Sequence, residues 1–304
     1  MIKYISSKGR EIDLSSFKTR LKDAVFHAYS WNYESTEQKY GIEINEFKKD
    51  PLEYDLEIWV RGANIEKKEI LNELTDQAEC DVVNKTPGKL ILGDYYLTCY
   101  ILTASTEPGD YATVKTMQIL APYPFWIRET TYSFLAEAAD PITILPGEEE
   151  PEPEITMEQG IMFPEFPFDL TVRESKKTKG LFDLPTDLKR VRGTRMINNE
   201  SYLPCHFRMT IYGPVTDPEI VIANHIYKVE TTVFTDERLE IDSRNNTVIK
   251  IGRLGEETDL YNSRYKLQSV FEKIPPGQQT VTWPGGYGID ITLYDERSEP
   301  RWTL

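Results

Sequence analysis

The sequence predicts a mainly β protein with a small α+β part near its N-terminal end, on three observations. Eight short apolar runs recur at roughly ten-residue spacing after residue 205, one helical stripe lies between Asn64 and Cys80, and two apolar runs are hinged at Gly93-Asp94. Regularly spaced short runs separated by turn residues indicate an antiparallel sandwich. The helix and the hairpin belong to a separate, earlier unit. A chain of 304 residues is long enough for about two domains at ~150 residues each.

Taken in order, Leu56, Ile58 and Val60 alternate with Glu57, Trp59 and Arg61, a period-two strand that stops at Arg61-Gly62. A helix follows. Asn64 suits the N-cap, Glu66 suits the positive end of the helix dipole, and Ile70, Leu71, Leu74 and Ala78 fall on one face, with an end near Cys80. Pro87-Gly88 marks a turn, and LILGDYYLTCYIL (90–102) then reads as a hairpin, because glycine supplies the positive φ of a two-residue turn. Its second arm is apolar on both sides, with Tyr95, Leu97, Cys99 and Ile101 on one and Tyr96, Thr98, Tyr100 and Leu102 on the other. Such a strand needs cover on two faces.

Leu145 to Ile155, LPGEEEPEPEI, carries five glutamates among three prolines and reads as a linker or long exposed loop. The expected division is therefore 1–135, an acidic segment 136–166, and 167–304. In the last part strands are expected at His206–Tyr212, Ile220–Ala223, Tyr227–Phe234, Arg238–Ile241, Thr247–Ile251, Ser269–Phe271, Thr280–Trp283 and Gly288–Tyr294. No helix of convincing length is expected there.

Composition narrows function. With 50 acids against 35 bases the net charge is −15, which repels nucleic acid over most of the surface. The charge is uneven: 23 acids and 16 bases up to Asp140, 7 acids and no bases over 141–168, and 20 against 19 from Asp169 onward. No apolar run approaches the ~18 residues of a membrane helix, and Met1 to Arg10 lacks the apolar core of a signal peptide, so the chain is expected to fold in the cytoplasm. Cys80, Cys99 and Cys205 are too few and too scattered for a disulfide framework or a zinc knuckle and read as reduced core thiols.

Motifs of catalysis and cofactor binding do not occur in the sequence: no nucleophile elbow, no H-E-x-x-H, no phosphate loop and no dinucleotide-binding glycine pattern. No cofactor and no metal are expected. His27, His206 and His225 stand apart from other ligand types, and Cys205 and His206, adjacent on a strand, point to opposite faces. Pro284 to Gly288 (PGGYG) reads as a bulged turn in preference to an anion cradle. Glu237, Glu240 and Asp242 are close enough for a glycosidase pair, but acids are so abundant that the coincidence weighs little.

The strand run from Met196 to Ile251 resembles the C-terminal half of the distal tail proteins of long-tailed bacteriophages. The matching segments are IYGPVTDPEI (211–220), LEIDSRNNTV (239–248) and IPPGQQTV (274–281), with PYPFWIRE (122–129), FPEFPFDL (163–170) and the 90–102 hairpin also similar to that family. The acidic insertion at 145–155 departs from its pattern. The resemblance implies a structural tail-tip protein and not an enzyme. It also implies a hexameric ring built by the N-terminal part, a galectin-like sandwich facing outward, and a place between the tail tube protein, the tail-associated hub protein and receptor-binding or baseplate proteins. Assembly in the host bacterial cytoplasm and location at the virion tail tip follow from it.

On that reading Tyr95, Tyr96, Leu97 and Tyr100 are the candidate ring-interface residues, since their strand leaves a face to be covered by a second copy. Tyr294 and Trp302 are candidate docking aromatics if they lie outward. A carbohydrate-binding module is the rival reading, in which Trp283, Tyr287, Tyr294 and Trp302 would stack on sugar, against a plainer role in packing.

Overall fold

The structure, a computed structural model, describes residues 2–109, 111–136 and 194–301. The acidic segment 145–155, the 163–170 segment and Trp302 lie outside the described residues. The protein is mainly β and antiparallel, with one α-helix among the described residues.

The first half comprises β1 (Ile2–Ile5), β2 (Glu11–Asp13), β3 (Thr19–Asp23), β4 (Asn32–Glu37), β5 (Ile42–Lys48), β6 (Leu52–Arg61), α1 (Asn64–Val83), β7 (Gly88–Leu92), β8 (Tyr95–Glu107), β9 (Ala112–Ala121) and β10 (Trp126–Phe134). Strand order runs β2-β1-β7-β8-β9-β6-β3, and a backbone bond from Leu21 N to Leu14 O draws the two ends of this order together. The core they enclose includes Tyr4, Leu56, Ile58, Leu90, Leu97, Cys99, Ile119 and Trp126, each worth about 1.5–3 kcal/mol or, for the smaller ones, less.

The hairpin forms where its sequence places it, with Gly93 at φ +62° in the turn between β7 and β8. Helix α1 starts at Asn64, so the cap residue is Ala63 and not Asn64; Glu66 reaches back to accept the Ala63 N–H at 3.3 Å. It runs three residues past Cys80. Leu74 and Ala78 are buried and Ile70 and Leu71 pack against the same core, as the stripe requires. Asp81, fully buried on that helix, accepts Tyr4 Oη and Ser7 Oγ at 2.6 Å each and Ser7 N at 3.1 Å, which ties the helix end to β1.

The second half comprises β11 (Thr194–Asn199), β12 (His206–Tyr212), β13 (Val215–Thr216), β14 (Glu219–Ile222), β15 (His225–Lys228), β16 (Thr232–Val233), β17 (Arg238–Asp242), β18 (Thr247–Ile251), β19 (Glu257–Asp259), β20 (Gly277–Thr282) and β21 (Ile289–Arg297). One sheet runs β19-β18-β17-β12-β21-β10 and a second β11-β20-β14-β15. Their apolar faces share a core of Phe207, Met209, Ile211, Leu239, Ile241, Ile289 and Ile291 from the first and Ile197, Ile220, Ile222, Tyr227 and Val281 from the second. Strand β10 pairs with β21 along its whole length, Trp126 with Arg297 through Phe134 with Ile289, so residues before 135 supply an edge of this sheet.

Several expected elements differ. Ser269–Phe271 is a turn, because the Ser269 hydroxyl and carbonyl accept the N–H groups of Phe271 and Glu272 locally and leave no ladder. Tyr227–Phe234 divides into β15 and β16. Strands β1 to β5, β9, β10, β11, β13 and β19 were not expected from the sequence.

Candidate functional site

Strands β4 and β5 form a two-stranded ribbon that is a sheet by itself, and every residue in both strands is exposed. Tyr33 faces Phe47, a bulge at Asn45 shifts the register, and Ser35 then faces Ile44 and Glu37 faces Ile42. One side of the ribbon is therefore Tyr33, Phe47, Ile44 and Ile42, ending at Glu37. The other is polar, with Lys48 paired to Glu34 and Glu46. At the tip Tyr40 is 85% exposed beside Gly41, whose φ is +85°. An isolated hairpin is marginal in water, and this one offers water four large apolar side chains.

The base of the ribbon is fixed. The Trp31 ring meets Phe125 edge-on at 6.4 Å, and Lys49 Nζ lies 4.4 Å from the Phe125 centroid and 5.6 Å from that of Trp31. Burial among these rings pushes the Lys49 amine down to about 8. Because Phe125 belongs to the segment entering β10, the ribbon is held against the main body at its root and projects from there.

The strand singled out as a ring interface divides by face. Tyr95 and Leu97 point into the chain's own core and are buried. Tyr96 and Tyr100 lie on the opposite face and are half-buried; Tyr96 donates to Glu129 at 2.7 Å and carries Lys89 over its ring at 4.4 Å. Part of the cover that the apolar pattern demands thus comes from the chain itself. The larger uncovered apolar surface is the ribbon, which the sequence reading missed. Its signal was the alternation Tyr33, Ser35, Glu37 and Ile42, Ile44 around Tyr40-Gly41.

Where β8, β10 and β21 meet, charged side chains are packed together. Asp295, 5% exposed, accepts Arg297 Nε at 2.9 Å and Arg128 Nη2 at 3.3 Å, with Tyr95 Oη at 3.5 Å; Arg128 also reaches Glu200 at 2.7 Å. Beside it Glu296 accepts Tyr123 Oη at 2.9 Å, and the Arg244 guanidinium lies 5.1 Å from the Tyr123 and Tyr294 rings. Tyr294 is 4% exposed, so the condition on its docking role, an outward ring, is not met. It sits inside because β21 is a central strand. Trp283 and Tyr287 are likewise buried in the second core, Trp283 Nε1 donating to Tyr287 O at 3.1 Å across the PGGYG turn.

The remaining candidates have local roles. Glu237 accepts the Phe234 N–H at 2.9 Å, Glu240 pairs with Arg238 at 2.8 Å, and Asp242 accepts the backbone of Arg244 and Asn245 in the β17–β18 turn. His206 Nδ1 is 3.2 Å from Ser243 Oγ, with its basicity lowered by burial. Cys99 and Cys205 are buried thiols, each raised to about 12 by desolvation. Cys80, expected in the core, is half-buried on the surface of α1. Among the described residues no three His, Cys, Asp or Glu side chains are grouped to hold a metal ion, and no helix is long and apolar enough to cross a membrane.

No protein-family model and no curated protein matches the sequence. The fold does match solved structures over its full length. It is similar to the Dit protein (gp 19.1) of SPP1, a hub adsorption-apparatus protein of phages infecting Gram-positive bacteria, at TM-score 0.56 and 10% identity, with 98% of this chain and 99% of that chain covered. It is equally similar to a chain of the phage P2 baseplate in its activated conformation with Ca, at TM-score 0.56 and 9% identity, covering 99% and 100%. The same baseplate with Sr gives the same values. The chain therefore shares its fold with phage hub and baseplate proteins.

Proposed function

We propose that the protein is a structural component of a phage tail tip, a hub that closes into a ring and joins the tail tube to the host-adsorption apparatus. The observation that carries this reading is the β4–β5 ribbon, a preformed arm with an uncovered apolar side, on a chain whose fold is that of hub and baseplate proteins. A monomer gains nothing from such an arm. A ring of identical copies covers each arm once, by head-to-tail contact that closes on itself. A hexamer is the proposed number, with residues 1–135 supplying the ring and 167–304 an outward, galectin-like platform for receptor-binding or baseplate proteins. Strand β10 serves both parts, since it leaves the first and pairs along β21 of the second.

Tyr96 and Tyr100 remain candidates for the same interface from the half-buried face of β8. The tail tube protein and the tail-associated hub protein are the proposed neighbours along the tail axis. Antibody raised against this chain tests the placement by labelling intact particles in the electron microscope. Label at the free end of the tail is the expected result; label on the capsid or along the tail shaft refutes it.

A further inference from the structure

Arg61 ends β6 in an unusual setting. Its guanidinium carbon lies 4.7 Å from the Trp59 ring centroid, 5.6 Å from Tyr111 and 5.7 Å from Phe17. Phe17 and Tyr111 are 76% and 75% exposed, so the cation is the centre of an open aromatic patch. Among the described residues no carboxylate pairs with it, and its Nε is buried without a hydrogen-bond partner. Tryptophan, tyrosine and arginine gathered on a surface have the composition of an interface hot spot.

The ribbon has the complementary character. Its apolar side ends at Glu37, which makes no ion pair among the described residues, and its strands and tip hold Glu34, Glu37, Glu43 and Glu46 against Lys39 and Lys48. One chain thus carries an acidic, apolar arm and a cationic, aromatic patch, whose Glu37 and Arg61 are both without an ion-pair partner among the described residues. Two different surfaces that complement each other on one chain produce head-to-tail contacts.

Building on the ring reading above, we infer that the ribbon of one copy seats on the Phe17–Trp59–Arg61–Tyr111 patch of the next, with Glu37 on Arg61 and the ribbon's apolar side on the aromatic rings. The occupant of the patch is a second copy of this chain.

Charge exchange tests this on the full-length protein by sedimentation velocity over a range of concentrations. Arg61→Glu and Glu37→Arg each place like charges together and raise the concentration at half-assembly by roughly tenfold or more. Mixed in equal amounts, the two variants assemble again, because each ribbon then meets a patch of opposite sign on the other variant. Where Arg61→Glu lowers the thermal melt, Phe17→Ala, at a highly exposed position, serves in its place and weakens assembly in the same direction. Single variants that assemble like the parent overturn the inference and leave the ring reading standing. Restoration by both substitutions in one chain, without restoration by the mixture, also overturns it, since the ribbon would then lie on its own patch. A parent chain that stays monomeric at every concentration overturns both.

Discussion

Replacing Asp295 by alanine should unfasten the place where the two halves of the chain meet. The carboxylate is 5% exposed and is shared by Arg297 at 2.9 Å and Arg128 at 3.3 Å, whose side chains are themselves 13% and 21% exposed. Removing it leaves two guanidinium groups largely out of water with no charge partner on this side, at a cost of about 3–5 kcal/mol. Arg128 retains Glu200, which is half exposed, and that places the expected loss at the lower end of the range. For a chain of this size the melting temperature falls by roughly 6–12 °C. Asp295→Asn keeps the shape and loses the charge, so it costs less, about 1.5–3 kcal/mol. Differential scanning calorimetry on the purified full-length protein measures both. A melt for Asp295→Ala within about 2 °C of the parent refutes the reasoning, since it would mean that the cluster is solvated enough to be neutral.

Other outcomes follow from the same structure. Replacing 32–48 by a short turn should abolish assembly, read by sedimentation, and leave the melt of the unassembled chain nearly unchanged, because no ribbon residue is buried; calorimetry reads the latter on dilute samples in which the parent is dissociated. Tyr294→Ala opens a cavity beneath Arg244 and lowers stability by about 3 kcal/mol, seen in a denaturant titration. A thiol reagent at pH 8 should modify one cysteine of the native chain quickly, Cys80, and reach Cys99 and Cys205 only on unfolding, as peptide mapping would show. Lys49 loses its proton near pH 8 in the fold and near 10.5 when unfolded, so between these values the unfolded state binds more protons and stability rises with pH. Comparing the parent with Lys49→Met from pH 7 to 10 isolates that rise, which the variant lacks.

How much of this was legible in the sequence depended on which face of an element carries information. The β7–β8 hairpin was readable because Gly93-Asp94 demands a turn whatever surrounds it, and helix α1 because Ile70, Leu71, Leu74 and Ala78 fix one buried stripe. The sandwich strands at 206–212 and 247–251 fall on their predicted bounds, each bordered by turn residues. What period-two apolarity does not state is what covers each face. In β8 it marked burial correctly, yet one face is covered by the chain's own core and the other partly by Glu129 and Lys89. The ribbon escaped notice for the converse reason: with Glu, Gln, Lys and Thr between its apolar residues it resembles a polar loop, and none of its strand residues joins a core within one chain. Tyr294 was judged from its position near the C-terminal end, whereas its burial comes from β21 lying between β12 and β10, a pairing between distant segments. The Asp295 cluster depends on the same long-range pairing and left no local trace.

The mass of the purified full-length protein in native conditions tests the ring most directly. A closed particle of about six times the 35.2 kDa chain, dissociating when 32–48 is replaced, is the expected result. A monomer at every concentration, or an open series of ever larger species, contradicts it.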